Sequence, residues 1–338
     1  MSLAPRKEAI LKILVRQYID EANPVASEAI AHNYNLEISS ATVRNDTACL
    51  EEEGYITRLH RSAGSIPTDK AYRYYVESIS EDIELPLAEQ YLIYKLFQET
   101  EREIEQWLKL AAALLARFVH NMAVVTPPRA PQCRFKHLDL VALQDCVALL
   151  ILVLYEAKVR QQILSFSQKI AQDELTKLAN KFNATYVGMT GHEITAQKLE
   201  HFVGEEQVTN CIVDVMAAED KLEYDRPYLE GLCLMLNQPE FAKSPKILNV
   251  LEVVEREDWL KNIFPEKLDK RKIKVIIGEE NQEEALQDLS LIISRYGIPD
   301  KASGIVGVLG PKRMDYARAI SSVNYLSSLL NKSVIEYI

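Results

Sequence analysis

What the sequence lacks narrows the field first. No apolar run approaches the roughly 20 residues that a membrane-spanning helix needs; the longest, Cys146 to Tyr155, has ten. The opening residues, MSLAPRKEAI, carry neither a long apolar core nor a small-residue cleavage site, so no secretory leader is expected. Cys49, Cys133, Cys146, Cys211 and Cys233 are odd in number and never form a CxxC pair. That argues against disulfides and zinc and fits thiols in a reducing cytoplasm. Nor is there an excess of positive charge: 39 Lys and Arg against 49 Asp and Glu leave −10 at neutral pH. Such a balance argues against a protein that coats nucleic acid without regard to sequence, yet it permits a small basic face on an acidic body. Internal repeats and low-complexity tracts are absent as well.

What is present begins with size. A chain of 338 residues that is 48% apolar can build a core for each of two or three domains. Arg6 to Glu21 sets Ile10, Leu11, Leu14, Val15, Tyr18 and Ile19 at helical spacing, and Asn23 and Pro24 break it. A second short helix fits Ser27 to Tyr34. Ser39 or Ser40 caps a third, with Val43, Thr47 and Leu50 inward and Gly54 as its stop. Tyr55 to Leu59, the turn SAGS and Ser65 to Pro67 then read as a small hairpin. After Thr68, Tyr72, Tyr75, Val76 and Ile79 form the inward stripe of a fourth helix. Polarity rises from Ser80, which predicts a linker over 81–86.

Further on, the pattern predicts one long helix from Leu87 to Asn121, ended by PPRAP, and an antiparallel meander from His137–Leu143, Cys146–Tyr155 and Val159–Phe166. Helical pieces follow at Glu174–Phe182, Gln207–Ala217 and Lys246–Phe264. Strands return at Lys274–Gly278, Leu289–Tyr296 and Gly304–Leu309, and a helix from Arg313 to Leu330 closes the chain. The class is therefore α+β, with a sheet interrupted by a helical insert, so that strands from distant parts of the chain share a core.

Three helices and a hairpin are the order of a winged helix-turn-helix, whose third helix enters the major groove while the wing touches the flanking backbone. The outward positions of that helix are Ser40, Ala41, Thr42, Arg44 and Asn45. Small residues let its N-terminus approach phosphate; Thr42 suits a thymine methyl, Arg44 a guanine and Asn45 an adenine. Arg58, His60, Arg61, Ser62 and Ser65 are the wing candidates. From Gly54 to Tyr75 the bases Arg58, Arg61, Lys70 and Arg73 face Asp69 alone, although Glu51, Glu52 and Glu53 precede them. Winged helices also dock proteins, and the pattern by itself leaves both uses open.

Three blocks are more specific: SSATVRNDTACLEEEGYI from Ser39, SAGSIPTDKAYRYYV from Ser62, and GPKRMDYAR over Gly310–Arg318. Together, and in this order along nearly the whole chain, they resemble the bacterial heat-inducible transcription repressor HrcA family. That resemblance implies a winged-helix domain over 1–80, a GAF-like domain over 87–169 and 225–338, and an inserted, largely helical dimerising domain over 170–224. It also implies a homodimer that represses chaperone genes from an inverted-repeat operator in double-stranded DNA, is released on heat stress, and is assisted by a GroEL-type chaperonin. One departure lies in the wing, where Ser65 follows SAG in place of the family's usual basic residue; Arg61, just before the turn, stands ready to replace that charge.

Little else suggests chemistry. His32, His60, His120, His137, His192 and His201 never form a close ligand pair, and GIVGVLG at Gly304–Gly310 matches neither a P-loop nor a dinucleotide motif. No catalytic group, metal or cofactor is expected. Lys312, Arg313, Asp315 and Arg318 start the last helix and suit either an anion or a capped helix entry, the structural role being favoured. A small-molecule sensor pocket between Leu149–Leu154 and Gly304–Leu309 is the alternative regulatory reading.

Overall fold

The computed structural model describes residues 3–33, 38–58, 60, 63–79, 83–100, 103–129, 132–155, 159–197, 204–221, 227–241, 246–256, 273–298 and 302–337. The chain divides into two compact units. One comprises Met1–Pro127, Arg226–Tyr296 and Gly304–Tyr337; the other comprises Pro128–Asp225 and Gly297–Ser303.

The first unit begins with the expected head. Helix α1, Pro5–Glu21, starts on proline, whose missing N–H costs nothing in a first turn. It buries Ile10, Leu11, Leu14, Val15 and Ile19 and ends at Ala22 in the left-handed region. Helices α2, Ser27–Asn33, and α3, Ser40–Glu52, follow. The wing is two short strands, β1, Ile56–Thr57, and β2, Ile66–Pro67, paired antiparallel with Ile56 opposite Pro67. Helix α4, Asp69–Glu77, leaves the wing at once. Ala71, Tyr72 and Val76 are buried along it, close to the inward stripe read from the sequence.

The single helix expected from Leu87 to Asn121 is in fact two, α5, Leu87–Glu99, and α6, Ile104–Val119. Thr100 is extended, with ψ 143°. The physical reason lies in ETERE, residues 99–103, which offers no apolar residue to bury for a full turn. Packing therefore gives nothing to carry the helix through. Two strands also escaped the pattern: β3, Met122–Val125, and β7, Tyr228–Glu230. Two short helices, α10, Leu232–Leu236, and α11, Lys246–Glu255, lead to β8, Lys274–Ile277, then β9, Leu289–Ile298, and β10, Ala302–Pro311. The last helix is α12, Tyr316–Tyr337. The sheet order is β7-β3-β10-β9-β8, so strands about 180 residues apart in sequence do share one core. β10 is buried along most of its length. Its glycines are packing sites: a side chain at Gly307 would meet Ile293 at 2.7 Å, and one at Gly304 would strike the Tyr296 ring at 2.6 Å. Buried side chains of α6, α12 and the sheet join those of the head helices in one apolar cluster.

The second unit holds the meander β4, Phe135–Gln144, β5, Val147–Leu154, and β6, Val159–Ser165, with helices α7, Gln172–Tyr186, α8, Gly191–Ala196, and α9, Glu205–Lys221. Along β5, Ala148, Leu150, Leu152 and Leu154 point inward on a period of two. They meet Leu175, Phe182 and Tyr186 of α7 and Ile212 and Met216 of α9 in a separate core. The division expected at 169/170 thus passes through this core, because the buried face of the meander is covered by the helices that follow it. Leu149–Leu154 and Gly304–Leu309 belong to different sheets in different units. Among the described residues, no helix is long and apolar enough to cross a membrane.

Candidate nucleic-acid interface

Helix α3 is anchored on one side and open on the other. Ser39 caps it, its hydroxyl accepting from the Thr42 N–H at 3.2 Å. Val43, Thr47 and Leu50 are fully buried. Asp46 is also buried and receives both Nε and Nη2 of Arg6, at 2.6 and 3.1 Å, which fastens the start of α1 to the middle of α3. The bond to Asp46, followed by its charge, pushes the Arg6 guanidinium above its ordinary value. On the opposite side Ala41, Arg44 and Asn45 are exposed, and Ser40 and Thr42 are partly so. The five residues read as a recognition surface therefore lie together around the free face of one capped helix. Arg44 has only a loose ion pair with Glu28, 3.5 Å apart and both about two-thirds exposed, so its guanidinium exchanges partners at little cost.

The wing candidates divide. Ser65 is buried, at 2% exposure, and forms a two-way backbone bridge with Val25, at 2.9 and 2.8 Å. Arg58 turns inward rather than toward solvent: Nη2 donates to Thr47 Oγ1 at 2.9 Å, Nε donates to Ser65 Oγ at 3.3 Å, and Nη1 pairs with Glu51 at 3.2 Å. In this structure both side chains thus hold the wing against the rest of the head. His60 is exposed. Arg61 and Ser62 lie outside the described residues, so the proposed substitution of Arg61 for the charge missing at Ser65 stays an expectation.

Two supports escaped the sequence reading. Asp46 looked like another polar residue on α3, and only its distance of 40 positions from Arg6 in sequence hid the pair. Gly64 looked like a turn residue. In the structure a methyl there would fall 2.5 Å from the Pro24 carbonyl, so it lets the wing press on the α1–α2 loop.

A DeoR-like helix-turn-helix model matches residues 6–69, which cover α1 through the wing. The model of the HrcA protein C-terminal domain matches residues 105–320. A Heat-inducible transcription repressor HrcA from Dehalococcoides mccartyi is 45% identical over 334 residues, covering 99% of this chain and 96% of the relative. The chain belongs to the HrcA family. HrcA proteins of the same description from Herpetosiphon aurantiacus and Roseiflexus castenholzii are 40% and 37% identical, each covering 95% of the relative's length. It is a family of transcriptional repressors, not of enzymes. A crystal structure of a protein described only as hypothetical aligns over 99% of both chains with a TM-score of 0.62 at 24% identity, a likeness of fold.

In the HrcA-like block GPKRMDYAR the charged side chains meet protein partners. Lys312 Nζ pairs with Asp69 at 2.7 Å, Arg313 pairs with Glu240 and donates Nη1 to the Ile19 carbonyl at 2.7 Å, and Arg318 donates to the Phe118 carbonyl and to Glu89. Asp315 Oδ1 accepts from the Arg318 N–H at 3.0 Å, as a helix cap does. Among the described residues, no three His, Cys, Asp or Glu side chains gather as metal ligands would.

Proposed function

We propose that this chain is a cytoplasmic, heat-inducible repressor that binds double-stranded DNA as a homodimer, one winged helix in each half of an inverted repeat upstream of chaperone genes. The observation that carries this reading is the asymmetry of α3. Its inner face is fixed by Val43, Thr47, Leu50 and the Arg6–Asp46 pair, while Ala41, Arg44 and Asn45 are exposed on the other side. A rigid, capped helix with an open polar face suits the major groove and a flanking phosphate.

Self-association has support in the second unit. On the face of its sheet opposite the core, Val141, Leu149 and Ile163 lie in one row across the three strands, with Val153 and Val159 in another. Val141, Val159 and Ile163 are 40, 49 and 60% exposed, an apolar surface that suits a second copy of the chain. Pairing makes the second half-site encounter intramolecular, which allows a domain with few basic residues to bind tightly. Heat then acts on the marginal stability of the folded dimer, and a GroEL-type chaperonin assists in restoring it.

Titrating a labelled duplex from upstream of the cognate chaperone operon should reach saturation at two chains per site and resist scrambled competitor. One chain per site with undiminished affinity, or equal competition by scrambled DNA, overturns the reading. Adding the purified chaperonin to heat-treated protein tests the assistance separately, by recovery of binding.

A further inference from the structure

Helix α4 leaves the wing and lands on the sheet, and there its apolar packing is flanked by ionic contacts. Thr68, at its start, donates to the carbonyls of Gly54 and Tyr55 at 2.8 and 2.9 Å, which makes α4 a rigid extension of the reading head. On the sheet side, the Asp69 carboxylate pairs with Lys312 at 2.7 Å and accepts the Glu279 N–H at 3.0 Å. It fits only because residue 278 is glycine: a methyl there would lie 1.9 Å from Asp69 Oδ2. One turn along, Arg73 donates Nε to Glu280 Oε1 and Nη2 to the Val275 carbonyl, each at 2.8 Å. Glu280 is itself held by the Ile277 N–H at 2.9 Å. Between these two ionic contacts, Tyr72 packs on Tyr316, ring centres 5.9 Å apart, and the Tyr316 hydroxyl donates to the Lys312 carbonyl at 2.7 Å. From the other side of the head, α1 offers its Ile19 carbonyl to Arg313.

The contacts between head and sheet join segments 202 to 294 residues apart, and none of them touches the free face of α3. An apolar contact alone would allow the head to slide, because burial is non-directional. A bidentate guanidinium and a carboxylate shared between an ammonium and a backbone amide fix an angle. We propose that Asp69, Arg73, Gly278, Glu280 and Lys312 are positioning residues that set the orientation of the reading head on the sheet body, and through it the half-site spacing that the dimer accepts. The inference rests on the dimeric operator reading above.

The test uses the full chain and a series of inverted-repeat duplexes that differ only in the number of base pairs between half-sites. The wild type should prefer one spacing by about tenfold or more, since a shift of one base pair moves and rotates a half-site away from a fixed head. Asp69→Asn, which keeps shape but loses the charge, and Gly278→Ala, which keeps every charge but evicts the carboxylate, should each flatten that preference to about threefold or less. Arg73→Gln should act the same way. Protection of the α3 amides against hydrogen exchange should stay at the wild-type level, which separates a loosened joint from an unfolded head. An unchanged spacing profile in Asp69→Asn and Gly278→Ala overturns the inference. So does a uniform loss at all spacings, the signature of general destabilisation. A wild type with no spacing preference instead refutes the dimeric reading on which the inference stands.

Discussion

Replacing Gly64 by alanine tests how closely the wing must approach the head. The new methyl would sit 2.5 Å from both carbonyl atoms of Pro24 and 2.8 Å from the Val25 nitrogen, all of them backbone. Ordinary carbon contacts begin near 3.5 Å, so the wing must retreat by about 1 Å. The two Val25–Ser65 hydrogen bonds, now 2.9 and 2.8 Å long, would then be stretched beyond bonding range. Each contributes about 1 kcal/mol, and the buried groups left unpaired at Ser65 add a similar penalty, for a total of about 2–4 kcal/mol. Gly54 provides the control. It has φ +78° with nothing within 4 Å of the added carbon, so Gly54→Ala costs only the left-handed backbone strain of about 1–2 kcal/mol. Urea unfolding of both variants, with hydrogen exchange at Val25 and Ser65, gives the measurement. Gly64→Ala should be the less stable, should lose protection at those two amides, and should bind operator more weakly; Gly54→Ala should retain both amides. If Gly64→Ala keeps full protection and unfolds within 0.5 kcal/mol of wild type, a flexible wing has absorbed the methyl and the argument fails.

Three further outcomes are expected. Arg58→Ala should lower stability by about 1.5–3 kcal/mol through its lost bonds to Thr47, Ser65 and Glu51, while the slope of operator affinity against salt stays at the wild-type value; a slope reduced by about one unit would return Arg58 to the phosphate contacts. Arg44→Ala should cost about 1–3 kcal/mol of discrimination at one base position, whereas Glu28→Gln, which removes the competing carboxylate, should raise affinity about twofold; anisotropy titrations on base-substituted duplexes read both. Glu193, which accepts the N–H and hydroxyl of Thr190 in a capping box, is held below the ordinary carboxylate range chiefly by that backbone bond. Its contribution is complete above the ordinary glutamate pKa and is lost as pH falls through the depressed one. Carboxyl NMR of wild type and Glu193→Gln should show this low titration, and an ordinary value for Glu193 would contradict the capping account.

The head was legible because its signals are local. Helical spacing of Ile10, Leu11, Leu14 and Val15, a serine cap before α3, and the wing between Tyr55 and Pro67 each depend on neighbours within a few residues. The outward set Ala41, Arg44 and Asn45 followed from the inward set by the helical period alone. What failed depended on partners far away. The break at Thr100, the short strands β3 and β7, and the grouping of the meander with α7 and α9 are decided by which apolar face finds cover, and a window of sequence does not contain the cover.

The sequence by itself determined the family of the chain, the order of helices and wing, and the face of α3 that is free, because caps, turns and hydrophobic periods act over a few residues. Only the tertiary structure decided that Arg58 and Ser65 support the wing from within, and that Lys312 and Arg73 grip elements far away in sequence. A charged side chain looks the same in a sequence whether it faces water, a phosphate or a buried carboxylate. Its role is set by the partner that folding brings within 3 Å, and that partner is chosen by the packing of the whole core.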